Sequence, residues 1–266
     1  MRAGLSLCGG GFLGAYHVGA LRALRGGAPS WVRRAPVVGS SVGAVVGAMH
    51  VCNADGLHAA MHELCDSVRR EVGPLGILTP GFSLVTSVRE VLDRALPPNA
   101  HVACSGRMHV GVTVLDRSSV RFALVADFSS RDELLDAVVA SSFVPGVTAT
   151  LGGGESGWPT NARGGKQIDG GLTANWPALP AEVAERTVRV SAFPGTFDIA
   201  PATGAARTVP VQGGLRLALH PSMPRLLLVC ARVPSPEQVD AMEERGFRDA
   251  ALFLERGSNR GMVDAP

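Results

Sequence analysis

The chain has 266 residues, 46% of them hydrophobic and 18% charged, with a formal net charge of +2. That length and apolar content suffice for one large core, since α/β folds commonly run to about 250 residues as a single domain. The near-neutral charge lacks the basic footprint of a nucleic-acid binder, and the five cysteines, at 8, 52, 65, 104 and 230, form no CxxC pair and no metal spacing, so they read as reduced thiols in a reducing compartment.

In chain order, a strand over 4–8 runs into Cys8-Gly9-Gly10-Gly11-Phe12-Leu13-Gly14 and then into a helix over 15–25. Consecutive glycines leave backbone N–H groups unobstructed beside a helix N-terminus, which makes an anion site. In a serine hydrolase that anion is the oxyanion of the tetrahedral intermediate. The same residues also match the dinucleotide fingerprint Gly9-x-Gly11-x-x-Gly14, which expects an acid roughly 20 positions on. Arg33 and Arg34 occupy that zone and the first acid is Asp55. The dinucleotide reading therefore survives only in an NADP form, and it gives no role to the motifs downstream.

An apolar strand over 36–39 leads into Gly39-Ser40-Ser41-Val42-Gly43 and a helix over 42–52. A Gly-x-Ser-x-Gly between strand and helix is the nucleophile elbow, in which a sharp turn projects the serine hydroxyl clear of the backbone. Asn53-Ala54-Asp55-Gly56 turns the chain into a helix over 57–71. A loop with Gly73-Pro74 and Pro80-Gly81 precedes an amphipathic helix over 83–95, whose Leu84, Val85, Val88, Val91 and Leu92 fall at helical spacing. Strands over 108–115 and 120–127 and a helix over 131–140 follow. Leu151 to Lys166 is glycine-rich and polar, with Trp158 near its tip.

Gln167-Ile168 then delivers Asp169-Gly170-Gly171, an aspartate at a strand end released by two glycines to reach across a cleft. A strand over 187–192 comes next. The helix over 235–256 opens with Ser235-Pro236-Glu237-Gln238, a capping-box pattern with proline at the first helical position, and Gly257 ends it. The alternation predicts an α/β sandwich around a largely parallel sheet. Residues 1–257 read as one domain and 258–266 as a disordered, frayed tail.

A serine paired with a carboxylate needs a physical justification. A carboxylate with an ordinary pKa near 3.9 is a poor base for a hydroxyl. Burial raises that pKa and narrows the gap, and the oxyanion donors then carry much of the barrier. A triad in the order serine, acid, histidine has one candidate, His220, the sole histidine after Asp169. His17 reads as a packing residue inside the helix after the glycine loop.

The three motifs in this order resemble the patatin-like phospholipases. The resemblance extends to the animal branch that includes adipose triglyceride lipase and adiponutrin. It is carried by Cys8 to Ala20, by Asp127-Phe128-Ser129-Ser130-Arg131-Asp132-Glu133-Leu134, by Ala140-Ser141-Ser142-Phe143-Val144-Pro145-Gly146, by Asp169-Gly170-Gly171-Leu172-Thr173-Ala174-Asn175-Trp176-Pro177, by Val190 to Gly195 and by Arg248 to Leu254. It spans about Leu5 to Glu255. It implies a three-layer α/β/α patatin-like fold, with Ser41 as nucleophile and Asp169 as a base acting without a histidine. The Gly9, Gly10 and Gly11 backbone would form the oxyanion hole, and no cofactor or metal is implied. Leu13 stands where many patatin-like enzymes carry a basic residue, which weakens the case for selecting a phosphate headgroup.

The implied activity is lipid acyl hydrolysis on triacylglycerol or related acylglycerols, with transacylation competing because an acyl-serine accepts an alcohol as well as water. The alternatives are a phospholipase A or lysophospholipase, a retinyl ester hydrolase, or a weakly active lipid-droplet protein that sequesters a co-activator. The implied location is cytoplasmic, peripheral on lipid droplets or membranes. The partners are lipid substrate at that surface and a co-activator or inhibitor protein, with no nucleic acid. Neither a spanning helix nor a secretory signal is read in the sequence. Two segments are candidates for touching the lipid surface: the helix over 83–95 with Phe82, and the loop bearing Trp158.

Overall fold

The first two strands, β1 (Ala3–Leu7) and β2 (Val37–Ser40), are buried almost throughout. That is why each reads as a continuous apolar run rather than as an alternation, the pattern of a parallel sheet covered on both faces. The structure, a computed structural model, describes residues 3–27, 30–149, 158–160, 165–202, 207–210, 216–219, 230 and 232–258. β1 lies between β2 and β6 (Arg186–Val190) and is parallel to both, and β2 is parallel to β3 (Met108–Asp116). β4 (Ser119–Val125) is antiparallel to β3 and forms the edge, giving the order β4-β3-β2-β1-β6.

A sixth strand, β5 (Lys166–Asp169), also pairs antiparallel with β3. β4 already occupies one edge of β3 from Val110 to Asp116. β2, paired with 108–111, and β5, paired with 112–115, must therefore share the other edge, end to end. A separate two-stranded hairpin, β7 (Arg207–Pro210) with β8 (Arg216–Leu219), has no counterpart among the elements predicted from sequence.

Helices flank the sheet. α1 (Gly14–Gly27) follows a 3-10 turn at Gly11–Leu13, and α2 (Val42–Asn53) is buried continuously from Val42 to His50. α3 (Leu57–Glu71) and α4 (Leu84–Ala95) pack together, followed by the short α5 (Ala100–Cys104), α6 (Arg131–Ala140) and the one-turn α7 (Gly171–Ala174). The long α8 (Pro236–Ser258) closes against α1. The capping box read at its start is formed: the Gln238 N–H donates to Ser235 Oγ at 3.3 Å, and the Ser235 N–H donates to Gln238 Oε1 at 2.9 Å. The helix runs one residue past Gly257, and residues 259–266 of the expected tail lie outside the described residues.

Both candidate lipid-touching segments are occupied differently. The apolar residues of α4 turn inward, with Leu84, Val85, Val88, Val91 and Leu92 all buried. Trp158 is half-buried, its ring edge-on to Phe143 at 5.6 Å and capped by Lys166 Nζ at 4.9 Å. It belongs to a small cluster with Val85 and Ile168 that seals β5 onto α4, so packing rather than exposure explains this tryptophan. Most of the loop around it lies outside the described residues. No helix of the described residues is long and apolar enough to cross a membrane.

Candidate active site

The end-to-end strands bring two distant residues together. β2 finishes with Ser40 opposite Gly111 of β3, and β5 finishes with Asp169 opposite the next residue, Val112. The first residue beyond β2 is Ser41, so it meets Asp169 where the two strand ends face each other. Ser41 has φ 55° and ψ −130° and is the one non-glycine residue with positive φ among those described. A side chain held in that sparsely populated region marks a turn imposed by its surroundings. The constraint is visible. The Ser41 N–H donates to Ser141 Oγ at 2.8 Å, and Ser141 Oγ in turn donates to the Gly111 carbonyl at 2.6 Å. The flanking glycines serve through closeness rather than through unusual φ. A Cβ on Gly39 would overlap the Gly43 carbonyl, and one on Gly43 would overlap the Leu7 carbonyl of β1.

Asp169 is 6% exposed. Burial pushes its carboxyl up to about 6, against the lowering effect of hydrogen bonds from the Ser41 hydroxyl and the Gly171 N–H. The latter bond is 2.7 Å to Oδ1, and Thr113 Oγ1 donates to the Asp169 main-chain oxygen at 2.7 Å. The backbone of Asp169 is therefore held by β3 and its carboxylate by the start of α7, at the wall of the cavity that Ser41 also lines. Its pKa lies far closer to neutrality than that of an ordinary aspartate, the direction a base needs.

The glycine loop forms the other wall. Gly10 and Gly11 carry φ of 155° and 54°, conformations open chiefly to glycine. Gly9 is seated against Ser41, and its N–H donates to the Asn175 carbonyl at 3.4 Å. The N–H groups of Gly10 and Gly11 have no backbone acceptor among the described residues, and α1 follows them through the 3-10 turn, so both stand at the positive end of a helix. His17 supports the loop from behind: fully buried and held neutral by burial, with its pKa pushed down to about 4, it donates from Nε2 to the Cys8 carbonyl at 2.9 Å.

Ser41, Asp169 and Gly9 to Gly11 share one cavity of about 260 Å³. Its walls come from α2 (Val45), α3 (Met61, Leu64), α4 (Leu84, Val88) and the turn at Ile77. Asp169 is its one charged lining residue among those described. All five residues singled out from sequence thus line one cavity, but the Gly9 N–H, turned to the Asn175 carbonyl, leaves Gly10 and Gly11 as the candidate oxyanion donors of the three glycines expected. Ser40, the neighbouring serine, is fully buried and donates to the Ala174 carbonyl at 3.0 Å, which removes it from the cavity. His220 lies outside the described residues, and no described histidine hydrogen-bonds Asp169. Ser141, Thr113 and Asn175 act as supports that the sequence reading did not single out, because their roles exist only once β3, α6 and α7 are assembled.

A family model described as patatin-like phospholipase matches residues 5–182. The human protein named 1-acylglycerol-3-phosphate O-acyltransferase PNPLA3 is 34% identical over 98% of this chain and 52% of its own length. Its mouse counterpart is 36% identical, with 60% of its length covered. The chain thus spans little more than half of these relatives. Human patatin-like phospholipase domain-containing protein 4 is 30% identical over 94% of this chain and 95% of its own length. The crystal structure of VipD from Legionella pneumophila aligns over 96% of this chain and 67% of that one, with a TM-score of 0.48 at 13% identity, too distant to carry residue roles.

Proposed function

The chain belongs to the patatin-like phospholipase family, and from that premise we propose that it is a lipid acyl hydrolase working through a Ser41–Asp169 dyad. The observation that carries this reading is Ser41, on its strained elbow, sharing the wall of an apolar cavity with a buried, base-poised Asp169. Asp169 takes the Ser41 proton as Oγ attacks the ester carbonyl. The Gly10 and Gly11 N–H groups receive the oxyanion, the place where charge grows most in the transition state. Asp169 returns the proton to the departing alcohol, leaving an acyl-Ser41. A water deprotonated by Asp169 then releases the fatty acid. An alcohol in that place completes a transacylation, an outcome supported by relatives whose printed name is an O-acyltransferase.

The cavity supports a neutral-lipid substrate class. A carboxylate is its single charged lining residue among those described, and Leu13 puts no cation on the glycine loop. Neutral acylglycerols or similar esters suit such walls better than an anionic headgroup held close to Asp169. The lipid surface is met by apolar residues around the cavity: Val147 and Leu172 line it while standing 40% and 59% exposed, and Leu75 and Leu78 flank lining residue Ile77 at 65% and 55%. Exposed leucines and valines rimming an apolar cavity are the arrangement an interfacial enzyme needs.

A fluorophosphonate probe on the purified chain tests the dyad. Wild type and Ser40→Ala are expected to label, Ser41→Ala not at all, with near-native circular dichroism in each. Labelling that persists in Ser41→Ala removes the assignment. Parallel assays on triacylglycerol, phospholipid and retinyl ester then rank the substrates.

A further inference from the structure

Away from the cavity, α3 and α8 face each other across a small group of histidines and carboxylates. His58 and His62 are one turn apart on α3, and Asp240 and Glu243 nearly one turn apart on α8. One ring nitrogen of each histidine and one Asp240 oxygen lie within 4.8 Å of one another. We infer that His58, His62 and Asp240 form a binding site for a divalent transition-metal ion, zinc being the best match.

Two imidazoles and one carboxylate are the donor set zinc takes, at about 2.0–2.2 Å per bond. Ligands around such an ion stand somewhat over 3 Å apart, and His62 Nε2 and Asp240 Oδ1 are already 3.0 Å apart. Small rotations of partly exposed side chains complete the approach. His58 and Asp240 are 55% and 60% exposed, so an ion can enter and water can fill the fourth position.

A second observation points to a ligand. Glu243 is 2% exposed, and its Oε2 accepts from His58 Nδ1 at 2.9 Å. That bond fixes the proton on Nδ1 and leaves the Nε2 lone pair for a metal, the carboxylate–histidine–metal relay that orients ligands in known sites. The other oxygen, Oε1, is buried with no hydrogen-bond partner. Arg22 approaches Oε2 at 3.7 Å while also leaning toward Glu244. An ordinary surface ion pair is worth little and needs no buried carboxylate behind it. An ion held through His58 adds positive charge to that of Arg22 beside the buried Glu243. The site would pin α8 to α3, the helix that lends Met61 and Leu64 to the acyl cavity.

The test titrates Zn²⁺ into the chelator-stripped full chain by calorimetry, with melting temperature read alongside. One equivalent should bind wild type and raise its melting temperature. His58→Ala/His62→Ala should weaken binding more than a hundredfold and abolish the upward shift. Glu243→Gln, which removes the charge but keeps the shape, should weaken binding roughly ten- to a hundredfold. Retained fluorophosphonate labelling checks that each variant is folded, and Asp240→Asn carries the same expectation should the histidine variant unfold. Cys52 and Cys104, whose sulfurs lie 3.3 Å apart, are the competing soft ligands. Binding that survives the histidine variant but is lost in Cys52→Ser overturns the inference, as does a wild type that binds no zinc.

Discussion

Asp169 concentrates the chemistry and the cost of the site in one side chain. Its carboxyl titrates near 6 in the folded chain, against 3.8 when unperturbed. As the proposed base it must be ionised, so kcat/KM on a soluble ester should fall as pH drops through about 6 and level off above it. A flat profile across that region would assign the base elsewhere. The same shift affects folding. The folded chain holds this proton more tightly than the unfolded chain, so stability present below the unfolded value is lost as pH rises through the folded one. Asp169→Asn, which stays uncharged and keeps an acceptor for the Gly171 N–H, should therefore be inactive yet more stable than wild type at neutral pH, by up to roughly 3 kcal/mol. Urea denaturation should show the difference closing below roughly pH 4. Ser41 and Asp169 were legible as residues because each sits in a short local pattern, Gly-x-Ser-x-Gly and Asp-Gly-Gly. Ser141 was not: nothing in Ala140-Ser141-Ser142 announces that one hydroxyl will tie the Ser41 N–H to the Gly111 carbonyl.

At the scale of elements, the long helices and the central strands were readable because periodicity and turn residues are local signals. The predicted helices over 57–71 and 131–140 coincide with α3 and α6. β5 was harder. Its four residues, Lys166 to Asp169, carry no alternation of their own and exist as a strand only because β3 extends past the end of β2. The β7–β8 hairpin and the five-residue α5 were missed for the same want of length. α4 was read correctly as a helix, but its apolar stripe fits an interfacial and a buried role equally, and only packing separates them. That packing makes a prediction. Val88 is 5% exposed and lines the cavity together with Val45 and Met61 of the neighbouring helices. Val88→Phe should shorten the cavity, lowering turnover of long-chain esters about tenfold or more while a butyrate ester stays within about threefold. Equal losses on both would mean that α4 has shifted as a whole.

For the whole molecule, the α/β class and the match to the patatin-like family were legible from Leu5 to Glu255, whereas the surface proposed to meet lipid was not. Exposure depends on what covers each side chain, and the leucines beside Ile77 look no different in sequence from those of α4. Leu75→Ser/Leu78→Ser should leave stability within about 0.5 kcal/mol and spare a soluble ester. Activity on emulsions should fall roughly tenfold, as removing two insertable leucines implies. Unchanged emulsion activity would take this turn out of lipid contact. The His58–His62–Asp240 group is likewise invisible in sequence, since α3 and α8 meet only in the folded chain. The abutment of β2 and β5 along β3 also bears on how the protein is made. The elbow is synthesised before β5, and its proposed proton acceptor is in place only once β5 has docked onto a strand laid down more than fifty residues before it. On the proposed mechanism, esterase activity is therefore withheld from the nascent chain until β5 pairs with β3. A ribosome-stalled chain ending before Lys166 should display Ser41 and still fail to react with the probe.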